Sequence, residues 1–392
     1  MPRGKGRRVA RGAAIALAML AVLTALLETG ARVALGDDFV QGERRARTWK
    51  VCGRYDPELG WSNHPGVRAR IHADDLIDYR VRINSLGFRD PERSLDPPPG
   101  VRRVLLLGDS VSWGWGVDDG ERFSDLIEAE LGPGVEVINL AVPGYGTDHH
   151  LWTLEHNGFA FQPDLVLLGM VLNDLVEARQ DEMYGMAKPQ FVRDSVGGWR
   201  VVGRPVPPPG SALDLKLREL NDWLNANSGL AAFVRRDSWL PRALPPEPEA
   251  HAAESRGEIE RTRKLADTLI APRTLQHMLL GRIAEACADR GVPLVALTIP
   301  HRHDRYLYDP TYPLPDLPAD GAFLTYFSRR LARAGEVLGF ETLSVDQALA
   351  EAMVDGEPLH CGDGHLNERG NEVVARALAP ELRRILAALP GE

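Results

Sequence analysis

Four short stretches of this 392-residue chain carry side chains able to do acyl-transfer chemistry. Gly108-Asp109-Ser110 follows the apolar run Val104-Leu105-Leu106-Leu107, so the Ser110 hydroxyl is expected where a buried strand ends and a helix begins. A nucleophile suits that place, because the first backbone N–H groups of a helix are unpaired and can face a developing oxyanion. Gly144, in Val142-Pro143-Gly144-Tyr145, and Asn173, in Val171-Leu172-Asn173-Asp174, follow two further apolar runs. A glycine lets its N–H approach a substrate oxygen closely, and an asparagine amide can donate to the same oxygen. With the Ser110 N–H they make three candidate oxyanion-hole donors at neighbouring strand ends. Taken singly, each of these residues also suits an ordinary turn.

The general base must come from elsewhere. Asp363-Gly364-His365-Leu366-Asn367 stands just before a C-terminal helical pattern, from where His365 can reach back to Ser110 while Asp363 fixes the imidazole tautomer. His360, three residues before Asp363, is a rival base, but it lacks the Asn-x-x-Gly lead into a helix that follows His365.

These groups meet only if one set of strand ends gathers them. Apolar runs predict strands over 103–108, 135–141, 165–170, 292–298 and 341–345. Helical patterns lie between and after them, over 123–131, 151–158, 273–290, 323–338 and 368–389, with Pro380 a candidate kink in the last. Such alternation implies a three-layer α/β/α sandwich with a doubly wound parallel sheet, and ligands then bind at the carboxyl ends of its strands. Between the third and fourth strands, residues 176–272 form an insertion far longer than a usual connection. Its proline-rich runs and its helical pieces near 213–225 and 256–269 suggest a cap beside the active-site edge.

Gly108-Asp109-Ser110, Gly144, Asn173 and Asp363/His365 resemble, in order, the Ser, Gly, Asn and His blocks of the SGNH (GDSL-type) serine hydrolases. Asn84-Ser85-Leu86-Gly87-Phe88-Arg89 is similar to the lead-in of bacterial membrane-anchored members. The resemblance covers about 102–392 apart from the insertion. It implies a flavodoxin-like sheet and ester hydrolysis without a metal or other cofactor, with Ser110, Asp363 and His365 as catalytic residues and Ser110, Gly144 and Asn173 as the oxyanion hole. The commonest family form places Asp three positions before His, whereas Asp363 is two before His365.

The N-terminus bears on where this chemistry happens. Arg3, Lys5, Arg7, Arg8 and Arg11 precede an apolar run from Ala13 to Leu27, and continuing to Leu35 gives nearly the ~20 residues a spanning helix needs. No A-x-A cleavage site follows Leu27, which favours an uncleaved signal anchor with the N-terminus in the cytoplasm and the remainder exported. The expected organisation is a signal anchor over 1–36, an irregular lead-in over 37–100 and a hydrolase domain over 101–392. Formal net charge is −9; the first eleven residues carry +5, leaving −14 for the rest, which argues against a nucleic-acid partner.

Other constellations compete less well. Asp148-His149-His150 and His301-x-His303-Asp304 carry metal-ligand types without an assignable carboxylate partner, and the glycines around Gly114 miss the dinucleotide spacing. Three cysteines, Cys52, Cys287 and Cys361, leave either one disulfide and a thiol or three thiols. Trp113 and Trp115 can line an acyl or sugar pocket or simply pack. The expected partners are an acyl-ester substrate, on a glycan or lipid, and a membrane. An O-acyltransferase would use the same site, and a silent binding module would keep only its frame.

Overall fold

Five strands form the central sheet, and those at its middle carry continuous apolar runs, which a strand can do only when both of its faces are covered. The five are β6 (Arg102–Leu107), β7 (Val135–Asn139), β8 (Leu165–Met170), β13 (Leu294–Thr298) and β14 (Glu341–Ser344). All pair in parallel, in the order β14-β13-β8-β6-β7, in a computed structural model that describes residues 3–73, 77–236, 263–300, 326–354 and 358–390. Numbered along the chain this is the flavodoxin-like order 2-1-3-4-5, whose direction of winding reverses between β6 and β8.

Side-chain alternation divides the core between the two faces. Leu105, Leu107, Val166, Leu168, Met170 and Ala296 point to one side, under α4 (Thr147–His156), α9 (Leu275–Ala288) and α10 (Tyr326–Leu338). Val104, Leu106, Leu165, Leu167, Val295 and Leu297 point to the other, under α3 (Phe123–Leu131), α11 (Asp346–Val354) and α12 (Glu368–Ala388). The expected α/β/α layers are therefore present. Pro380 is accommodated inside α12, where Val374, Leu378, Leu382 and Ile385 hold one face against the sheet.

The lead-in is more ordered than its composition suggests. It holds an antiparallel pair, β2 (Gly53–Asp56) with β3 (Gly60–Asn63), and a second, β4 (Arg68–Ala73) with β5 (Ile77–Arg82). In β5 the residues alternate buried and exposed, with Ile77, Tyr79 and Val81 inward. Charge on the outward face of a two-residue period hid that strand from a reading by continuous apolar runs. With Trp49, Trp61, Trp113 and Tyr145 these strands form a third apolar cluster.

The chain divides into two compact units, residues 46–209 with 251–392 and residues 1–45 with 210–250. The second contains α1 (Arg3–Leu35), α6 (Ala212–Asn227), α7 (Gly229–Arg236) and most of β1 (Glu43–Ala46). Within α1, residues Arg11–Leu35 are long and apolar enough to cross a membrane, and Leu17, Met19 and Leu26 are 66–68% exposed. Glu28 near its end is neutralised locally. Its carboxylate pairs with Arg32 at 2.6 Å and accepts from Ser228 Oγ and the Gly229 and Leu230 N–H groups, at 2.7–3.0 Å, at the start of α7.

The expected cap is thus not one body. Its helices α6 and α7 share a unit with α1, whereas its earlier part is two hairpins, β9 (Glu182–Met183) with β10 (Met186–Ala187) and β11 (Gln190–Arg193) with β12 (Trp199–Val202), in the unit of the sheet. Of the helical piece near 256–269, α8 is described over 263–267.

Candidate active site

The chain turns sharply at the end of β6, and α2 (Ser110–Trp113) begins with Ser110. Asp109 caps it, accepting the Val111 N–H at 2.9 Å. Gly108 is required by space: a Cβ there would sit 2.2 Å from Ser112 Oγ. Ser110 is thereby held at the carboxyl end of the sheet, beside the switch between β6 and β8.

Ser110 Oγ lies 2.9 Å from His365 Nε2, and His365 Nδ1 lies 3.2 Å from Asp363 Oδ1. The second contact is longer than a charge-assisted hydrogen bond, and catalytic pairs are commonly loose before substrate binds. Asp363 reaches His365 across a two-residue spacing because Gly364 adopts φ +96°, a left-handed conformation that folds the segment tightly. Asp363 Oδ1 also accepts the His365 N–H at 3.2 Å. The Trp115 indole N–H donates to Asp363 Oδ2 at 2.6 Å, and its ring lies 5.6 Å from the imidazole. Burial pushes the Asp363 carboxyl upward, but His365 and Trp115 outweigh it and hold the group at about 2. His360 makes a backbone bridge with Leu366; the histidine at the serine is His365.

Gly144 occupies the loop after β7 at φ +78°, and a Cβ there would meet Met183 Sδ at 2.4 Å and the Tyr184 ring at 2.6 Å. The β9–β10 hairpin thus lays Met183 and Tyr184 on this loop. Lys188, buried, anchors the hairpin's base to the Asp148 carboxylate at 2.8 Å and to the Glu177 carbonyl at 2.9 Å.

Asn173 precedes α5 (Asp174–Glu177), and its Nδ2 donates to Asp109 Oδ2 at 3.2 Å and to Glu177 Oε1 at 3.0 Å. Ser110 Oγ is 3.3 Å from that same Asp109 oxygen. Ser110 and Asn173 thus converge on one carboxylate oxygen. Asp109, Asp174 and Glu177 place one oxygen each within 4.8 Å of one another. Burial is the main force raising all three above the usual carboxylate range; the charge of Asp109 adds to it at Asp174 and Glu177, whereas the Val111 N–H, His365 and Asn173 oppose it at Asp109.

Sequence reasoning missed Glu177, and it weighed Trp115 as lining a pocket or packing rather than as a partner of Asp363. Glu177 stands four residues after Asn173, a helical spacing that could have flagged it. No spacing connects Trp115 with Asp363, 248 positions away. Asp148-His149-His150, weighed as metal ligands, lies wholly buried in α4. Asp148 pairs with Lys188, the His149 Nε2–H donates to the Leu59 carbonyl at 2.8 Å, and burial lowers His150 to about 3. His301, His303 and Asp304 lie outside the described residues. Cys52 and Cys287 are buried thiols and Cys361 is a half-buried one.

The GDSL-like lipase/acylhydrolase family matches residues 106–373, about two thirds of the chain. Similar solved structures include a member of the lipolytic G-D-S-L family from Veillonella parvula, at 12% identity, TM-score 0.36, 74% of this chain and 100% of that one. Another is the psychrotrophic esterase EstA from Pseudoalteromonas, at 12% identity, TM-score 0.35, 73% of this chain and 99% of that one. A third is Est24, a carbohydrate acetylesterase from Sinorhizobium meliloti, at 13% identity, TM-score 0.33, 72% of this chain and 99% of that one. Comparison with curated protein sequences gives no match. The family match spans β6 to α12, the stretch that carries Ser110, Gly144, Asn173, Asp363 and His365, and the chain belongs to the GDSL-like lipase/acylhydrolase family as a carboxylic ester hydrolase.

Proposed function

We propose that the chain hydrolyses acyl esters of a glycan or lipid outside the cytoplasm, through Ser110 as nucleophile, His365 as general base and Asp363 as its orienting carboxylate. The observation that carries this reading is the 2.9 Å contact between Ser110 Oγ and His365 Nε2 at the switch point of the sheet. Ser110 Oγ attacks the ester carbonyl as its proton passes to His365 Nε2, and Asp363 stabilises the imidazolium that forms. The carbonyl oxygen, now an oxyanion, is held by the Ser110 and Gly144 N–H groups and the Asn173 amide. Collapse of the tetrahedral intermediate expels the alcohol, which takes the proton back from His365. Water, deprotonated by the same imidazole, then releases the acid from the acyl-enzyme and restores Ser110.

Support for an extracytoplasmic substrate comes from the N-terminus, where five basic residues precede the apolar stretch of α1. In this orientation α1 stays in the cytoplasmic membrane as a single anchor and the sheet lies outside. The test is hydrolysis of p-nitrophenyl acetate by the full-length protein and by Ser110→Ala. Wild type turns over and the variant does not; equal rates would refute the nucleophile.

A further inference from the structure

Asn173 has only two amide hydrogens, and in this structure both point at carboxyl groups, one at Asp109 and one at Glu177. An oxyanion formed at Ser110 would therefore arise next to a cluster of three acidic groups, a poor place for more negative charge. The arrangement works only if the cluster carries fewer charges than carboxyls. The Ser110 hydroxyl stands at the same cluster, with Oγ 2.9 Å from His365 Nε2 and 3.3 Å from Asp109 Oδ2, to which it can also donate.

We propose that Glu177 is a positioning residue of the oxyanion hole, joined with Asp109 and Asp174 in a proton-sharing cluster that grips the Asn173 amide and leaves room for the charge of the transition state. The inference rests on the reading of Asn173 as an oxyanion donor. Groups of both signs face Glu177. Asp109 faces it from the end of β6, Asp148 from α4, Lys188 and Tyr184 from the β9–β10 hairpin, and Asp174 from its own helix. Lys188 pairs with Asp148 and donates to the Glu177 backbone carbonyl, so its charge only partly offsets the burial of the Glu177 carboxyl. Burial first, and the charge of Asp109 second, push Glu177 up to about 8. Below that pH the cluster keeps its proton. Above it a further negative charge appears beside the amide, competes with the oxyanion for the Asn173 hydrogens and repels it. Activity should fall on the alkaline side for this reason, and the fall should be in kcat, because the repulsion grows only as the oxyanion forms.

The experiment is the pH dependence of kcat and KM for p-nitrophenyl acetate, from about pH 6 to about pH 10, on full-length protein in detergent. It compares wild type with Glu177→Gln, Glu177→Leu, Asp174→Asn and Asn173→Ala, each checked by circular dichroism. Wild-type kcat should drop about 10-fold for each pH unit above the cluster's apparent pKa. Glu177→Gln, fixed in the uncharged form and still able to accept from Asn173, should lose that limb or move it up by about one unit or more. Asp174→Asn should displace it too, through a different member of the cluster. Glu177→Leu, which removes the acceptor, should lower the plateau kcat about 10-fold with KM within about 2-fold, and Gln should restore most of it. A wild-type alkaline limb in both Glu177→Gln and Asp174→Asn overturns the inference. If those profiles are unchanged while Asn173→Ala is severely impaired, the cluster proposal alone fails; if Asn173→Ala is fully active, the oxyanion-hole reading beneath it fails.

Discussion

Trp115 donates its indole N–H to Asp363 Oδ2 at 2.6 Å, so the acid that faces His365 is itself held by a residue five positions beyond the nucleophile. The bond holds the carboxylate oxygen that does not face the imidazole and helps to keep the group ionised, at about 2. Trp115→Phe keeps the ring but removes the donor. A hydrogen bond to a charged group is worth about 1.5–3 kcal/mol, so kcat/KM should fall about 10-fold or more. Steady-state kinetics with an intact fold checks this. Unchanged kinetics would show that Asp363 needs no such support.

Arg89 is fully buried and ties the lead-in to the nucleophile's helix. It donates to the carbonyls of Trp113 (3.3 Å), Gly114 (2.6 Å), Val117 (2.7 Å) and Arg80 (3.0 Å), and to Asp119 Oδ1 at 3.0 Å. The first two are the last carbonyls of the helix that Ser110 opens. Arg89→Met leaves these buried carbonyls without their donor and Asp119 with Arg82 alone, at a cost of about 3 kcal/mol, lowering Tm by about 5 °C or more. Thermal unfolding measures it, and a Tm equal to wild type would contradict the clamp.

Buried carboxyls of opposite behaviour make stability depend on pH on both the acid and the alkaline side. Asp363 and Asp148 are held at about 2, the latter because Lys188 and His149 outweigh burial. Their contribution is present above the ordinary pKa near 3.8 and is lost as pH falls through 2. Asp90 and Glu177 are raised, chiefly by burial, to about 7 and about 8. Their contribution is full below the ordinary carboxylate pKa and is lost as pH rises through those values. His150, which burial lowers from 6.5 to about 3, adds stability as pH rises between those values and offsets the loss from Asp90 and Glu177 there. Tm should therefore decline from about pH 6.5 to about pH 8, and Asp90→Asn with Glu177→Gln should flatten that decline. A wild-type Tm constant from about pH 6.5 to about pH 8 would refute this.

The parallel sheet was readable because strands covered on both faces need nothing but apolar residues, and the runs at 104–107 and 165–170 have little else. Ser110, Gly144 and Asn173 were readable because each directly follows such a run. The lead-in strands were not, since β4 and β5 place Arg68, Arg80 and Arg82 on their outer face and conceal an inward set of Ala69, Ile71, Tyr79 and Val81. Trp115 and Lys188 were not readable either, because their partners are distant in sequence and only the fold brings them close. The insertion misled by its continuity. One stretch of sequence supplies a hairpin at Gly144 and two helices in the unit of α1.

Full-length protein should fractionate with membranes and require detergent for release, and protein beginning at Asp37 should be soluble. The motive is the exposed apolar surface of α1, which water does not tolerate over 25 residues. Fractionation followed by immunoblotting checks it. Full-length protein found entirely in the soluble fraction with an intact N-terminus would refute the anchor.

The central claim is that Ser110 is the nucleophile activated by His365, and a fluorophosphonate reports on it directly because the reagent is captured covalently only by an activated serine. The measurement is peptide mapping by mass spectrometry of protein labelled with such a probe. The adduct should map to Ser110, labelling should be absent from Ser110→Ala, and His365→Ala should label several orders of magnitude more slowly while keeping the wild-type fold. An adduct on another serine, or wild-type esterase activity persisting in Ser110→Ala, would contradict it.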